Sequence, residues 1–343
     1  MTKGRGLTTC GPTRRQSLSF AGAALAGAAL PALFPAKARA TTTRLRFLTS
    51  WFAQAEHGGF YQALATGLYA REGLDVSIDM GGPQVNGLQL LVNGSADLLM
   101  GYDIQVLAAV QNGLPVVAVA SSFQSDLQGL MTHPDIDGIS ALAGHKILIS
   151  SAARTTFWPW LRQRFNFSDD QAAPYTFNLQ PFLLDPRAAI QAYATSEPFE
   201  ARAQGIPVNF FAFSDSGYPP YGNPVVVTRA MIAQRPQQVE GFLRATMLGW
   251  RDYLQNPAPG NALIKQANPH MTDARIAYAV GQLRQRNLVG GGDAKTRGIG
   301  IITEARWHQT ADFLMRSGLL AASTDWRAAF TTRFVDKLNI LPA

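Results

Sequence analysis

Leu45-Arg46-Phe47-Leu48-Thr49-Ser50-Trp51-Phe52-Ala53-Gln54-Ala55-Glu56-His57-Gly58-Gly59-Phe60-Tyr61 is the stretch on which the reading of the fold turns. Leu45, Phe47 and Thr49 fall on one side of a run with the two-residue period of a strand. Two aromatics and a polar loop follow. Gly58-Gly59 then opens an amphipathic helix, with Phe60, Leu64 and Leu68 at helical spacing. A strand that turns directly into a helix leaves unpaired backbone N–H groups at its carboxyl end. In open α/β sheets ligands bind at that place. Trp51 offers a flat wall for a small ring there, and the Glu56-His57-Gly58 turn offers polar contacts. The same indole would also serve as ordinary core.

Outward from this stretch the pattern repeats. Residues 73–80 alternate as a second strand, Gly81-Gly82-Pro83-Gln84 turns, and 85–93 reads as a helix with Leu88, Leu91 and Val92 as its stripe. Residues 96–100 form a short buried strand, stopped at Gly101-Tyr102-Asp103. A helix over 104–112 and an apolar strand over 114–120 complete the first set. Strands alternating with helices at this spacing predict a largely parallel sheet covered on both faces. The pattern restarts with a strand at 146–149, ended by Ser150-Ser151-Ala152, and a helix over 156–165. It continues with a strand at 175–179, a helix from Asp185-Pro186 to Tyr193, a helix opened by Glu197-Pro198 and a strand at 208–213. A last strand, 224–228, precedes long helices at 236–254, 273–286, 304–316 and 325–334. Pro236 suits a first helical position, and Thr272 and Thr303 suit N-caps.

Composition narrows the class. The 343 residues suffice for two domains, and 47% apolar with 15% charged residues excludes a disordered chain. The net charge of +7 resides almost wholly in residues 1–40, which hold six basic residues and no acid; the remainder carries +1. A nucleic-acid surface would need a clustered basic patch, and none is present. Arg14-Arg15 precede an Ala- and Gly-rich apolar run, and Ala38-Arg39-Ala40 is a small-x-small cleavage site. These mark a cleaved signal peptide that resembles a twin-arginine export signal. Cys10, the single cysteine, leaves with the leader, so the mature chain has no disulfide and no thiolate. The five histidines are scattered, which gives a metal centre no support, and no Walker loop, Gly-x-Ser-x-Gly or His-Glu-x-x-His occurs. The expectation is an exported protein with no cofactor and no metal.

Trp51 with Glu56-His57-Gly58, then residues 67–76, 94–97, 113–119, 142–147 and Glu197-Pro198, fall in an order that resembles ABC-importer substrate-binding proteins. The branch is the one for nitrate, sulfonates and thiamine-pyrimidine precursors, and the likeness covers residues 44 to 260. It implies an α/β, periplasmic-binding-protein-like (type II) fold, with two α/β lobes joined by two crossing segments and a cleft between them. The boundaries implied are a signal peptide at 1–40, lobe 1 at 41–122, lobe 2 at 123–221 and a return to lobe 1 at 222–343. Function follows as the periplasmic solute-binding component of an importer, a monomer partnered by permease and ATPase subunits. Trp51, with His57 in the following turn, and Glu197-Pro198 look most like the aminopyrimidine-binding members. A planar aminopyrimidine offers a face to Trp51 and a donor edge to Glu197 or Asp103.

The further candidates are Gln84 and Asn86 in the glycine turn, Tyr102 beside Asp103, Ser151 and Thr155, and Tyr221 at a crossing. Ser151, Arg154 and Thr155 also resemble an oxyanion cradle, which keeps a sulfonate, taurine or nitrate ligand open, as well as a flavin. Several of these residues would equally cap helices. Pyrimidine synthases of thiamine biosynthesis share the implied fold, but they need a lysine and a histidine after the Met-Gly strand end and a cysteine-rich run. Here Met100-Gly101 leads into Tyr102-Asp103-Ile104-Gln105, so the reading is a binder, not an enzyme. A ligand sensor for a membrane receptor is the remaining alternative.

Overall fold

The computed structural model describes residues 42–343. The expected leader, with Arg14-Arg15, Cys10 and the expected cleavage site at 38–40, lies outside the described residues. Ten strands follow one another: β1 (Thr43–Leu48), β2 (Leu74–Asp79), β3 (Leu98–Met100), β4 (Val116–Phe123), β5 (Gln128–Thr132), β6 (Ile147–Ile149), β7 (Ala172–Pro174), β8 (Ala189–Tyr193), β9 (Asn209–Ala212) and β10 (Gly222–Thr228). They form two five-stranded sheets, ordered β2-β1-β3-β10-β4 and β7-β6-β8-β5-β9.

Each sheet is parallel except for its fourth strand. β10 runs antiparallel to β3 and β4, and β5 runs antiparallel to β8 and β9. The largely parallel expectation therefore holds with one reversed strand per sheet. The reason is topological. A parallel pair needs a crossover helix, whereas β5 and β10 arrive directly from the other sheet. The chain crosses once between β4 and β5 and returns between β9 and β10. The two crossings meet where Gly222 pairs with Phe123. The result is two α/β lobes joined by two crossing segments, the type II architecture.

Helices cover the sheets. The first lobe has α1 (Gly58–Ala65), α2 (Leu68–Arg71), α3 (Gly87–Val92) and α4 (Asp103–Gln111), and the second has α5 (Trp158–Phe165), α6 (Gln180–Leu184) and α7 (Glu197–Ala203). After β10 come α8 (Arg229–Gln234), α9 (Pro236–Gln255), α10 (Ala258–Ala267), α11 (Asp273–Gln285), α12 (Ala294–Arg297) and α13 (Glu304–Arg316). Thr272 and Thr303 do cap α11 and α13, accepting from the N–H groups of Arg275 and Arg306. α9 buries Phe242, Leu243, Met247 and Trp250 along one face. The core of the first lobe is aromatic: Phe47 stacks on Phe60, and Tyr69 on Phe242.

Three elements differ from expectation. Residues 175–179 are not a strand; β7 ends at Pro174 and a loop follows. Residues 185–193 are not a helix, because Ala189–Tyr193 is the central strand β8, paired with both β5 and β6. Its alanines favour a helix locally, but sheet pairing on both edges overrides that preference. Residues 325–334 make only a 3-10 turn, Trp326–Ala329, followed by a bridge from Phe330 to Ala118. β5 has no counterpart in the sequence reading. Among the described residues no helix is long and apolar enough to cross a membrane.

Candidate ligand-binding cleft

Trp51 follows β1, Tyr102 follows β3, Ser150 follows β6, Phe177 follows β7, and Glu197 follows β8. All five lie just past the carboxyl ends of parallel strands, so the two sheets present their ligand-binding ends to the cleft. Several contacts join the lobes, among them an ion pair from Arg275 of α11 to Glu200 of α7 at 2.7 Å. The Trp51 ring meets the Phe177 ring, with centroids 5.2 Å apart. The Tyr102 and Tyr193 hydroxyls lie 3.4 Å apart. The Thr195 hydroxyl donates to the Glu56 carboxylate.

Glu197 opens α7. Its Oε2 accepts from the Tyr193 N–H at 2.8 Å and from the Ser196 hydroxyl. Burial raises its carboxyl above the usual range, and those two donors oppose the rise. Glu197 in turn helps to raise the Tyr175 hydroxyl, after burial itself. Tyr175 lies 5.3 Å from Phe177, centroid to centroid. An aromatic strip thus runs from Trp51 across the cleft to Tyr175 and ends at a carboxylate. Such an arrangement takes a flat ring with an N–H edge.

His57 is buried in the turn before α1, and its Nδ1 has no hydrogen-bond partner among the described residues. Burial lowers its pKa to about 3, so the imidazole is neutral at physiological pH. The adjoining Glu56 is raised by burial, and its backbone carbonyl accepts from the Asn223 amide at 3.0 Å. Asn223 stands at the second crossing, so this turn is tied to the hinge as well as to the facing lobe.

The remaining candidates divide by placement. Asp103 is buried at the start of α4, where Oδ2 accepts from the Tyr221 N–H at 2.8 Å and Oδ1 has no partner among the described residues. The alternative of an N-cap is corrected: Tyr102 is the cap position and Asp103 the first helical residue. Tyr221 is buried at the second crossing, in contact with the segment that starts α13. Its hydroxyl accepts from the Thr303 N–H at 3.0 Å, and the Arg306 guanidinium lies 4.4 Å over its ring. Gln84 is exposed in its turn, and Asn86 caps α3 by accepting from the Gln89 N–H. Ser151 and Thr155 are exposed, and the Thr155 hydroxyl donates to the Ala152 carbonyl. Arg154 donates to the Ala172 carbonyl at 3.2 Å, along the surface. The inward residue of that turn is Ser150, whose N–H donates to Gln191 Oε1 at 2.6 Å. Thr195, Gln191, Tyr175 and Phe177 escaped the sequence reading. Gln191 was hidden by the helical reading of β8, and Phe177 by the strand reading of 175–179.

No group of three or more His, Cys, Asp or Glu residues could hold a metal ion among the described residues. A cavity of about 110 Å³ lies by the first crossing, lined by Asp126, Asp215 and Arg286 among others, and by none of the cleft residues above. The Trp51–Phe177 ring contact is one of several that hold the lobes together across the cleft.

The two-lobed fold is that of periplasmic binding proteins. The aliphatic sulphonate binding protein SsuA of Escherichia coli superposes with a TM-score of 0.65, at 17% identity, over 83% of this chain and 91% of that one. The chain belongs to the family described as NMT1/THI5 like, which it matches over residues 54–259. It is 26% identical to the riboflavin-binding protein RibY of Chloroflexus aurantiacus across 90% of this chain and 91% of the relative. It is also 26% identical to the formylaminopyrimidine-binding protein of Halalkalibacterium halodurans, across 61% of this chain and 66% of that protein.

Proposed function

We propose that this protein is the solute-binding component of an ABC importer, that it works in the periplasm after export, and that its ligand is a small planar aromatic heterocycle. The observation that carries this reading is the juxtaposition of Trp51, at the carboxyl end of β1, with Phe177, Tyr175 and Glu197 of the other lobe. Stacking supplies the face contact, and the carboxylate accepts from the ring's donor edge. A hydrogen bond to a charged acceptor is worth roughly 1.5–3 kcal/mol net. Two relatives that cover most of the chain's matched span are named for binding a flavin and an aminopyrimidine, both flat heteroaromatics. The protein acts by binding, with permease and ATPase subunits as partners and as a monomer.

The anion reading stays as the alternative: the Arg154 guanidinium gives one N–H to the Ala172 carbonyl on an exposed turn, and Arg275 pairs with Glu200 of the facing lobe at 2.7 Å.

Native mass spectrometry of the purified protein, followed by a thermal-shift screen of aminopyrimidines, flavins, sulfonates and nitrate, tests the reading. A ligand that binds only the folded state raises the melting temperature by linkage. A shift with a heterocycle and none with the anions is expected. A shift with taurine or nitrate alone overturns the ligand class, and turnover of a bound compound overturns the assignment as a binder.

A further inference from the structure

Phe177 combines three features that together call for an explanation. It is 50% exposed, although large and apolar. Its backbone is left-handed, with φ of 62°. Its ring is the lobe 2 partner of Trp51. Four other non-glycine residues have positive φ, namely Asn166, Asn223, Asn287 and Asn339, and asparagine tolerates that region. A phenylalanine does not, and a strained residue persists where its surroundings over-determine it, most often at a binding site. The exposed ring gains little burial in return for the strain. Its chief contacts are aromatic, with Trp51 on one side and Tyr175 on the other.

We propose that Phe177 is the second jaw of a clamp, so that the ligand's ring lies between Trp51 and Phe177 with both faces covered. The proposal rests on the heterocycle reading above and deepens it: the ligand must be flat on both faces, which a tetrahedral anion is not. The dimensions show what binding requires. A ring stacked on both sides needs about 7 Å between its neighbours, twice a contact of about 3.5 Å. The two centroids are 5.2 Å apart and the planes are inclined by 49°. The slot is therefore closed by its own jaws, and entry requires them to part by about 2 Å and to turn parallel. The jaws stand on opposite lobes, so hinge opening supplies that motion. Tyr175 extends the strip towards Glu197, which places the hydrogen-bonding edge on the lobe 2 side.

The test is calorimetric titration of wild type, Phe177→Ala, Phe177→Gly and Phe177→Tyr with riboflavin and with 4-amino-5-hydroxymethyl-2-methylpyrimidine, alongside thermal melts. The clamp predicts that wild type binds at least one ring. It predicts that the alanine and glycine variants bind that ring at least about tenfold more weakly, and that tyrosine stays within about threefold. The glycine variant should melt no lower than wild type, because glycine adopts this φ without strain. Wild type that binds a ring, with alanine and glycine variants binding it equally well, overturns the clamp and leaves the heterocycle reading standing. A marked fall in melting temperature for the glycine variant places Phe177 in the core and also overturns the clamp. Wild type that binds neither ring overturns both.

Discussion

At the residue scale the decisive question is what a side chain is already doing. Glu197 Oε2 accepts two local hydrogen bonds, from the Tyr193 N–H and the Ser196 hydroxyl, and the Tyr175 hydroxyl lies close enough to be raised by the same carboxylate. Glu197→Gln should keep the fold and weaken heterocycle binding by about tenfold or more, since one charge-assisted bond is lost. Titration calorimetry checks this, and unchanged affinity would remove Glu197 from the site. Trp51 stood out in the sequence as the end of a strand that turns into a helix, and Glu197 as a helix-opening residue before Pro198 in an order that resembles solute binders; that Glu197 follows a strand, β8, appears only in the structure. Phe177 was not. Its importance lies in a backbone dihedral and in a neighbour 126 positions away in the chain, and neither leaves a local pattern. Tyr221 was legible as a crossing residue, yet its contacts with Thr303 and Arg306 were not, because they lie some eighty positions away in the chain.

At the scale of elements, the contact between α1 and α9 shows why glycine stands at 59 in one helix and at 249 in the other. A Cβ on Gly59 would lie 2.2 Å from the Trp250 ring, and one on Gly249 would lie 2.2 Å from the Gly59 carbonyl oxygen. The helices can approach so closely only because both side chains are missing. Trp250 cannot move aside, since it is fully buried and its Nε1 donates to the Ser122 hydroxyl at 3.1 Å. Gly59→Ala should therefore destabilise the protein by about 2–3 kcal/mol, the usual penalty of overpacking a core. Urea unfolding measures it, and a loss below about 0.5 kcal/mol, the ordinary surface effect, would mean that the helices separate easily. Long periodic helices such as α9, α11 and α13 were readable within a residue or two. β8 was not, because a five-residue strand with four buried residues, two of them alanine, carries no period that separates strand from helix.

At the scale of the whole molecule, the hinge gathers charge. The Arg306 guanidinium donates to the carbonyls of Gln124 at 3.0 Å and Pro219 at 2.9 Å, one on each crossing segment. Near it, burial pushes Asp103 up to about 7 and Asp126 up to about 6, the first relieved in part by the Tyr221 N–H and by Arg306, and raised further by Asp126. Both carboxyls titrate near 3.8 when unfolded, so between that pH and 6 to 7 the folded chain holds more protons than the unfolded one. Stability from these groups is fully present below pH 3.8 and is lost as pH rises through 6 and 7. Asp103→Asn, which keeps an acceptor for Tyr221, should melt at nearly the same temperature as wild type at pH 4 and progressively higher than wild type towards pH 8. Thermal melts across that range decide it, and parallel curves would show that Asp103 carries no such cost.

The amino-acid sequence by itself determined the class of this protein: alternating strands and helices, strand ends rich in ligand-type residues, and an ordered set of short segments shared with solute binders. Those properties are local, because hydrophobic period and turn chemistry are written in consecutive residues. Tertiary structure alone decided which strand ends face one another across the cleft. It reversed the fourth strand of each sheet, turned Tyr221 and Asp103 towards the hinge, and brought Phe177 against Trp51. Those outcomes depend on how distant segments pack, and a side chain's partner in space has no fixed spacing along the chain.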